Sequence, residues 1–157
     1  MARPRLHNFP PQKMLVSIGR ILRADLDAEQ TDLAKAQATM AAEQKARDES
    51  DAAREAAGLD YREWYKLHPD PPRSDAWLDE HGAKHRLEAL QAWGIPYNLP
   101  LFTGCDLTPS ARVAAQTAIR KLESDGLVKL TGAKARYVSL TAAGWERLKE
   151  GKPDASP

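Results

Sequence analysis

A chain of 157 residues with 42% apolar and 29% charged side chains has room for one ordinary domain, or for one small domain with an extended appendage. Its formal charge of +1 conceals a basic start, with five bases and no acid in residues 1–23, then an acidic stretch, with four bases against ten acids in 24–60. Residues 105–157 are basic again, nine against six, an asymmetry that points to nucleic acid at the two ends.

Much of the apolar fraction is alanine, which buries little area, so the usable core is small. The longest apolar run near the start is Met14 to Val16, too short for a signal peptide or a membrane span, and no membrane partner is expected. One cysteine, Cys105, excludes an intramolecular disulfide framework and a multi-cysteine zinc site. The expected setting is the reducing cytoplasm.

Residues 1–11, with Pro4, Pro10 and Pro11, read as a disordered basic arm. From Gln12, Leu15, Ile18, Leu22, Leu26, Leu33, Ala36 and Met40 recur at steps of three, four or seven, which makes 12–58 one long helix stopped by Gly58. Leu26, Leu33 and Met40 stand one heptad apart, and Arg47 and Arg54 end the series. Leu15, Ile18, Leu22, Leu26, Leu33 and Met40 therefore define a coiled-coil seam for a homodimer. A solvated single helix, or one folded back on its own domain, is the alternative.

Residues 59–74 form a short helix and a proline-rich linker. Asp60 and Glu63 have capping-box spacing ahead of "YREWYKL", and Tyr61, Trp64, Tyr65 and His68 share a face that either docks on the C-terminal domain or joins a dimer contact. Residues 75–150 are the second domain. Ser74 or Asp75 caps a helix ending at Trp93, with Trp77, Leu78, His81, Leu87, Leu90 and Trp93 on its apolar stripe. Trp77, Trp93 and Trp145 are expected in the core.

Residues 97–107 hold one short helical turn or a packed loop. Thr108 and Pro109 then open a helix that runs to Ser124 and stops at Gly126. Residues 127–131 and 135–141 are two strands around "GAKA", Thr141 begins a last helix, and 151–157 are a disordered tail. The fold class is mainly α with a small β-hairpin.

On a helical wheel, Ala111, Ala115, Ala118, Ile119 and Leu122 share one sector of the 109–124 helix. The opposite sector holds Val113, Gln116, Thr117 and Arg120, flanked by Ser110 and Arg112. Arginine forks to guanine, glutamine pairs with adenine, and hydroxyls reach phosphates. Lys134 and Arg136 add charge at the hairpin tip, and residues 109–139 carry six bases against two acids.

"AIRKLESDGLVKL" followed by "ARYVSLTAAGWERL" resembles the end of a winged helix-turn-helix domain of the MarR-like type. The shared elements are a recognition helix closing on "LE..GLV", a two-stranded wing, and "LT.AG" opening a helix. The resemblance spans roughly residues 75–150. It implies that the 109–124 helix lies in the major groove of double-stranded DNA, with Ser110, Arg112, Gln116, Thr117 and Arg120 near the DNA. Lys134 and Arg136 would meet a phosphate or the adjacent minor groove.

His81 and His85, four apart, have no evident third ligand, so no metal is expected. No Walker loop or dinucleotide fingerprint is present, and Cys105 lacks a histidine partner. Cys105 reads as a small buried hydrophobe rather than a redox switch. The expected protein is a non-enzymatic, cofactor-free transcriptional regulator acting as a dimer. The alternative is an adaptor that docks proteins on the winged helix and uses the long helix as a scaffold.

Overall fold

The computed structural model describes residues 9–150, so most of the basic arm and the C-terminal tail lie outside the described residues. Nine elements follow one another: α1 (Pro11–Ala57), α2 (Tyr61–Leu67), α3 (Ala76–Trp93), β1 (Ile95–Pro96), α4 (Leu99–Thr103), α5 (Pro109–Ser124), β2 (Val128–Thr131), β3 (Tyr137–Leu140) and α6 (Ala142–Glu150). The described chain is mainly α, with a long N-terminal helix and one small antiparallel sheet. None of its helices is long and apolar enough to cross a membrane. It forms two compact units, Ala28–Leu87 and the flanking segments to Asp27 and from Glu88. The domain boundaries read from composition, near residues 58 and 75, both fall inside the first of these.

The Ala28–Leu87 unit is a helical hairpin. Contacts pair Glu29 with Arg86, Glu43 with Ser74, Ser50 with Trp64 and Arg54 with Tyr61, so numbers rise along α1 as they fall along α3 and α2. Arg86 Nε donates to both Glu29 oxygens at 3.0 and 2.9 Å. At the turn Asp60 caps α2 by accepting the Glu63 N–H at 2.8 Å, as the spacing predicts. Arg54 closes that corner: its guanidinium lies 3.9 Å over the Tyr61 ring and donates to the Leu59 carbonyl at 3.1 Å.

The aromatic cluster belongs to this hairpin rather than to the C-terminal core. Trp64 stacks on His68 at 3.9 Å and donates to Ser50 Oγ at 3.0 Å, while Tyr61 and Tyr65 remain about half exposed. The apolar stripe expected on α3 is rotated. Ala76 and Ala83 are the buried positions, facing a hairpin partner whose buried residue is Ala36, whereas Trp77 and Trp93 are 60% and 51% exposed. The inward side of α3 carries only small alanines, and its bulkier side chains lie on the outer side. Two of the three tryptophans expected in the core are thus at the surface; Trp145 is half-buried under Arg23, whose guanidinium lies 5.0 Å from its ring.

The other unit holds the main core. Met14, Leu15, Ile18 and Leu22 from the first turns of α1 are buried with Ile95, Leu99, Phe102, Ile119, Leu122, Leu127, Val138 and Leu140. Gly19, the weakest helical position in α1, has a packing reason: a Cβ there would overlap Leu148 Cδ1 of α6. Thr141 ties α6 to the end of α5, donating to the Gly126 carbonyl at 2.5 Å and accepting the Gly144 N–H at 3.1 Å.

The sheet has three strands in the order β1-β3-β2, one more than the hairpin read from the sequence. Ile95 pairs with Val138 and Pro96 with Tyr137, while Val128 pairs with Leu140 and Leu130 with Val138. Pro96 is tolerated because β1 is an edge strand and needs no N–H on its outer side. Gly94 makes the turn into β1 with φ +87°, and a Cβ there would overlap the Val138 carbonyl. Gly94→Ala combines left-handed strain with that overlap and should lower unfolding free energy by about 3 kcal/mol. Urea unfolding measures this; a loss below about 1 kcal/mol would show that β1 does not seat on β3 this way.

Candidate nucleic-acid interface

The α5 helix starts where the sequence places it. Thr108 Oγ1 accepts the Ala111 N–H at 3.2 Å, and Pro109 occupies the first turn, where its missing N–H leaves no bond unmade. Ahead of it stands α4, the short helical turn admitted for residues 97–107. Asn98 caps α4 by accepting the Leu101 N–H at 3.2 Å, Leu99 and Phe102 anchor it in the core, and left-handed Gly104 ends it. Cys105 follows in the turn and is exposed, contrary to the expected buried hydrophobe, because the chain has just left the core at Gly104.

The buried residues of α5 are Ala111, Ala115, Ala118, Ile119 and Leu122, the five that the wheel assigns inward. On the opposite side Ser110, Arg112, Thr117 and Arg120 are exposed, Val113 is exposed, and Gln116 is half-buried. The Thr117 hydroxyl donates to the Val113 carbonyl of its own helix at 2.9 Å. Lys121, one turn after Thr117, meets Asp125 at 3.3 Å in a solvent-exposed pair that contributes little to stability.

The hairpin tip is tightly turned. Gly132, Lys134 and Ala135 have φ of 90°, 62° and 51°, and the Ala135 and Arg136 N–H groups donate to the Gly132 and Thr131 carbonyls at 3.2 and 3.1 Å. A left-handed conformation costs a non-glycine residue about 1–2 kcal/mol, so the tip is held by its hydrogen bonds rather than by local preference. Lys134 and Arg136 are both exposed there.

Tyr97 connects α5 to the wing-like hairpin, and nothing in the sequence singled it out. Its N–H donates to the Arg136 carbonyl at 2.8 Å, and its ring meets Phe102 edge-on. Burial raises the Tyr97 hydroxyl above the usual phenol range, and the nearby Arg120 guanidinium draws it partly back. The Arg136 carbonyl thus holds the Tyr97 backbone, while the Arg120 charge acts on its hydroxyl only as the lesser influence. The run "YNLP", which Tyr97 opens, has neither periodicity nor charge, so no sequence signal marked the residue.

On its other flank α5 forms a groove of about 690 Å³ with the start of α1, lined by Phe9, Pro10, Pro11, Ser110, Val113, Thr117 and Lys121 among others. The residues expected to pair two long helices are spread over both units. Leu15, Ile18 and Leu22 are buried in this chain's own core and Leu26 packs against it, so these are not open to a second copy. Leu33 and Met40 are half-buried in the Ala28–Leu87 unit. Among the described residues no cluster of three or more His, Cys, Asp or Glu is placed to hold a metal; His81 and His85 meet with their Nε2 atoms 3.1 Å apart.

Comparison with protein-family models, with curated proteins and with solved structures finds no match for this chain. Arg120→Ala should move the raised Tyr97 hydroxyl further up by removing the influence that lowers it. A phenolate absorbance titration of both proteins reads this. Identical curves would show that the guanidinium does not reach the hydroxyl.

Proposed function

We propose that residues 75–150 are a winged helix-turn-helix that binds double-stranded DNA in a sequence-specific way, with α5 in the major groove and the β2–β3 hairpin as the wing. The observation that carries this is the division of α5, whose alanine-rich side is buried while Ser110, Arg112, Thr117 and Arg120 face solvent. The order helix, strand, helix, helix, hairpin and the sheet order β1-β3-β2 support it. So does the bond from the Tyr97 N–H to the Arg136 carbonyl, which ties the segment ahead of α4 to the hairpin.

Arg112 and Arg120 suit guanine edges or phosphates, Gln116 suits adenine, and Val113 suits a thymine methyl group. Lys134 and Arg136 suit the backbone beyond the groove edge. The role that follows is a transcriptional regulator, working in the cytoplasm without cofactor or catalysis. A dimer would present two copies of α5 to a two-fold site. With Leu15, Ile18 and Leu22 committed to the core, apolar side chains open to pairing include those of the helical hairpin: Tyr61, Tyr65, Leu67, Trp77 and Leu78, each 44–68% exposed.

Fluorescence anisotropy with fragments from a selected duplex pool, run over a salt series, tests the reading. The double variant Arg120→Ala, Lys134→Ala should bind at least about tenfold more weakly, and its log–log salt slope should fall by about 2, near 0.9 per lost phosphate contact. Sedimentation of the same complexes should give two chains per site. If the unsubstituted protein has no affinity for duplex DNA at low salt, the adaptor reading replaces this one, resting on the exposed aromatic residues of the hairpin.

A further inference from the structure

Two histidines of α3 stand outside the proposed DNA-binding surface. At about 100° per residue, Trp77, Leu78, His81 and His85 fall within a sector of about 100°, so they form one stripe along the helix. Trp77 and Leu78 are 60% and 49% exposed, and both histidines are exposed as well. The His81 and His85 Nε2 atoms face each other 3.1 Å apart, with ring planes at 78°. Imidazole nitrogens that close share either one proton or one cation, because two lone pairs left facing each other repel.

We infer that His81 and His85 bind one Zn²⁺-type divalent ion through these two nitrogens, and that a second copy of the chain completes its shell with the same pair. Neutral imidazole suits Zn²⁺ among the divalent metals. Zn²⁺–N bonds of about 2.0–2.1 Å at a tetrahedral angle set two nitrogens roughly 3.3 Å apart, which a small rotation of two exposed side chains supplies. Among the described residues no third His, Cys, Asp or Glu joins the pair to make a metal-holding group. A structural zinc site has four ligands, and a two-fold axis doubles what one chain brings, so two imidazoles become four. Trp77 and Leu78 stand one turn ahead of His81, and pairing two such stripes buries apolar surface beside the ion. The ion is a clamp between chains and takes no part in the DNA contact, so the inference is independent of the DNA-binding reading.

The test is sedimentation equilibrium of the full-length chain without DNA, in chelator and in added Zn²⁺. Four proteins are compared: unsubstituted, His81→Ala, His85→Ala and Cys105→Ser. Zn²⁺ should tighten self-association of the unsubstituted protein at least about tenfold, since an ion held only by the pair stabilises the pair. Its stoichiometry should be one ion per two chains. Either histidine variant should lose the whole effect and keep its thermal unfolding in chelator, because the chelate needs both nitrogens and neither side chain is in the core. Cys105→Ser should behave as the unsubstituted protein, which keeps the exposed thiol out of the site. Equal self-association with and without Zn²⁺ overturns the metal bridge. So does one ion per chain with no change in mass, an undiminished effect in either histidine variant, or its loss in Cys105→Ser.

Discussion

Burial of the first turns of α1 is the interaction on which the rest depends. Met14, Leu15, Ile18 and Leu22 are at most 3% exposed, and they fill the space between the sheet, α4 and α5. At about 1.5–3 kcal/mol for each fully buried side chain, their gross contribution is comparable to the whole net stability of an ordinary domain. Residues 75–150 therefore do not make a self-sufficient core: with alanine at three of the five buried positions of α5, the bulk has to come from elsewhere. The helix that looks like an appendage in the sequence is a structural part of the module it precedes.

That constraint also arranges the surface. Because α1 starts inside the core, Phe9–Pro11 are held beside α5. The turn at Gly94 sends β1 along β3, and this brings the Tyr97 N–H to the Arg136 carbonyl of the β2–β3 hairpin. The surroundings of α5 and the hairpin are thus set by backbone paths through the core, which suits the proposed contact of its outer side chains with base edges in a defined register. The proposed DNA contacts follow from this arrangement, as does the shift of any dimer contact onto the helical hairpin.

Some of this was legible in the sequence because it was locally encoded. Thr108–Pro109, Asp60–Glu63 and Gly58 carry their own capping chemistry, and the inward face of α5 follows from periodicity alone. What was missed depended on partners distant in the chain. The strand β1 is two residues long, contains a proline, and exists only because β3 lies beside it. Trp77 and Trp93 were placed inside by their bulk, but the buried positions of α3 are Ala76 and Ala83, on a different face. The apolar series of α1 was read as one seam, whereas its early members serve one compact unit and its later ones the other. A heptad pattern reports that a face is buried and is silent about what covers it.

The central proposal is that α5 and the β2–β3 hairpin form the surface that meets DNA. Amide chemical-shift mapping of the labelled protein with a bound duplex tests it most directly, since every segment is observed at once. The account predicts shifts concentrated at residues 110–121 and 132–137, with the Ala28–Leu87 hairpin largely unmoved. Shifts gathered on that hairpin, with α5 silent, would contradict it.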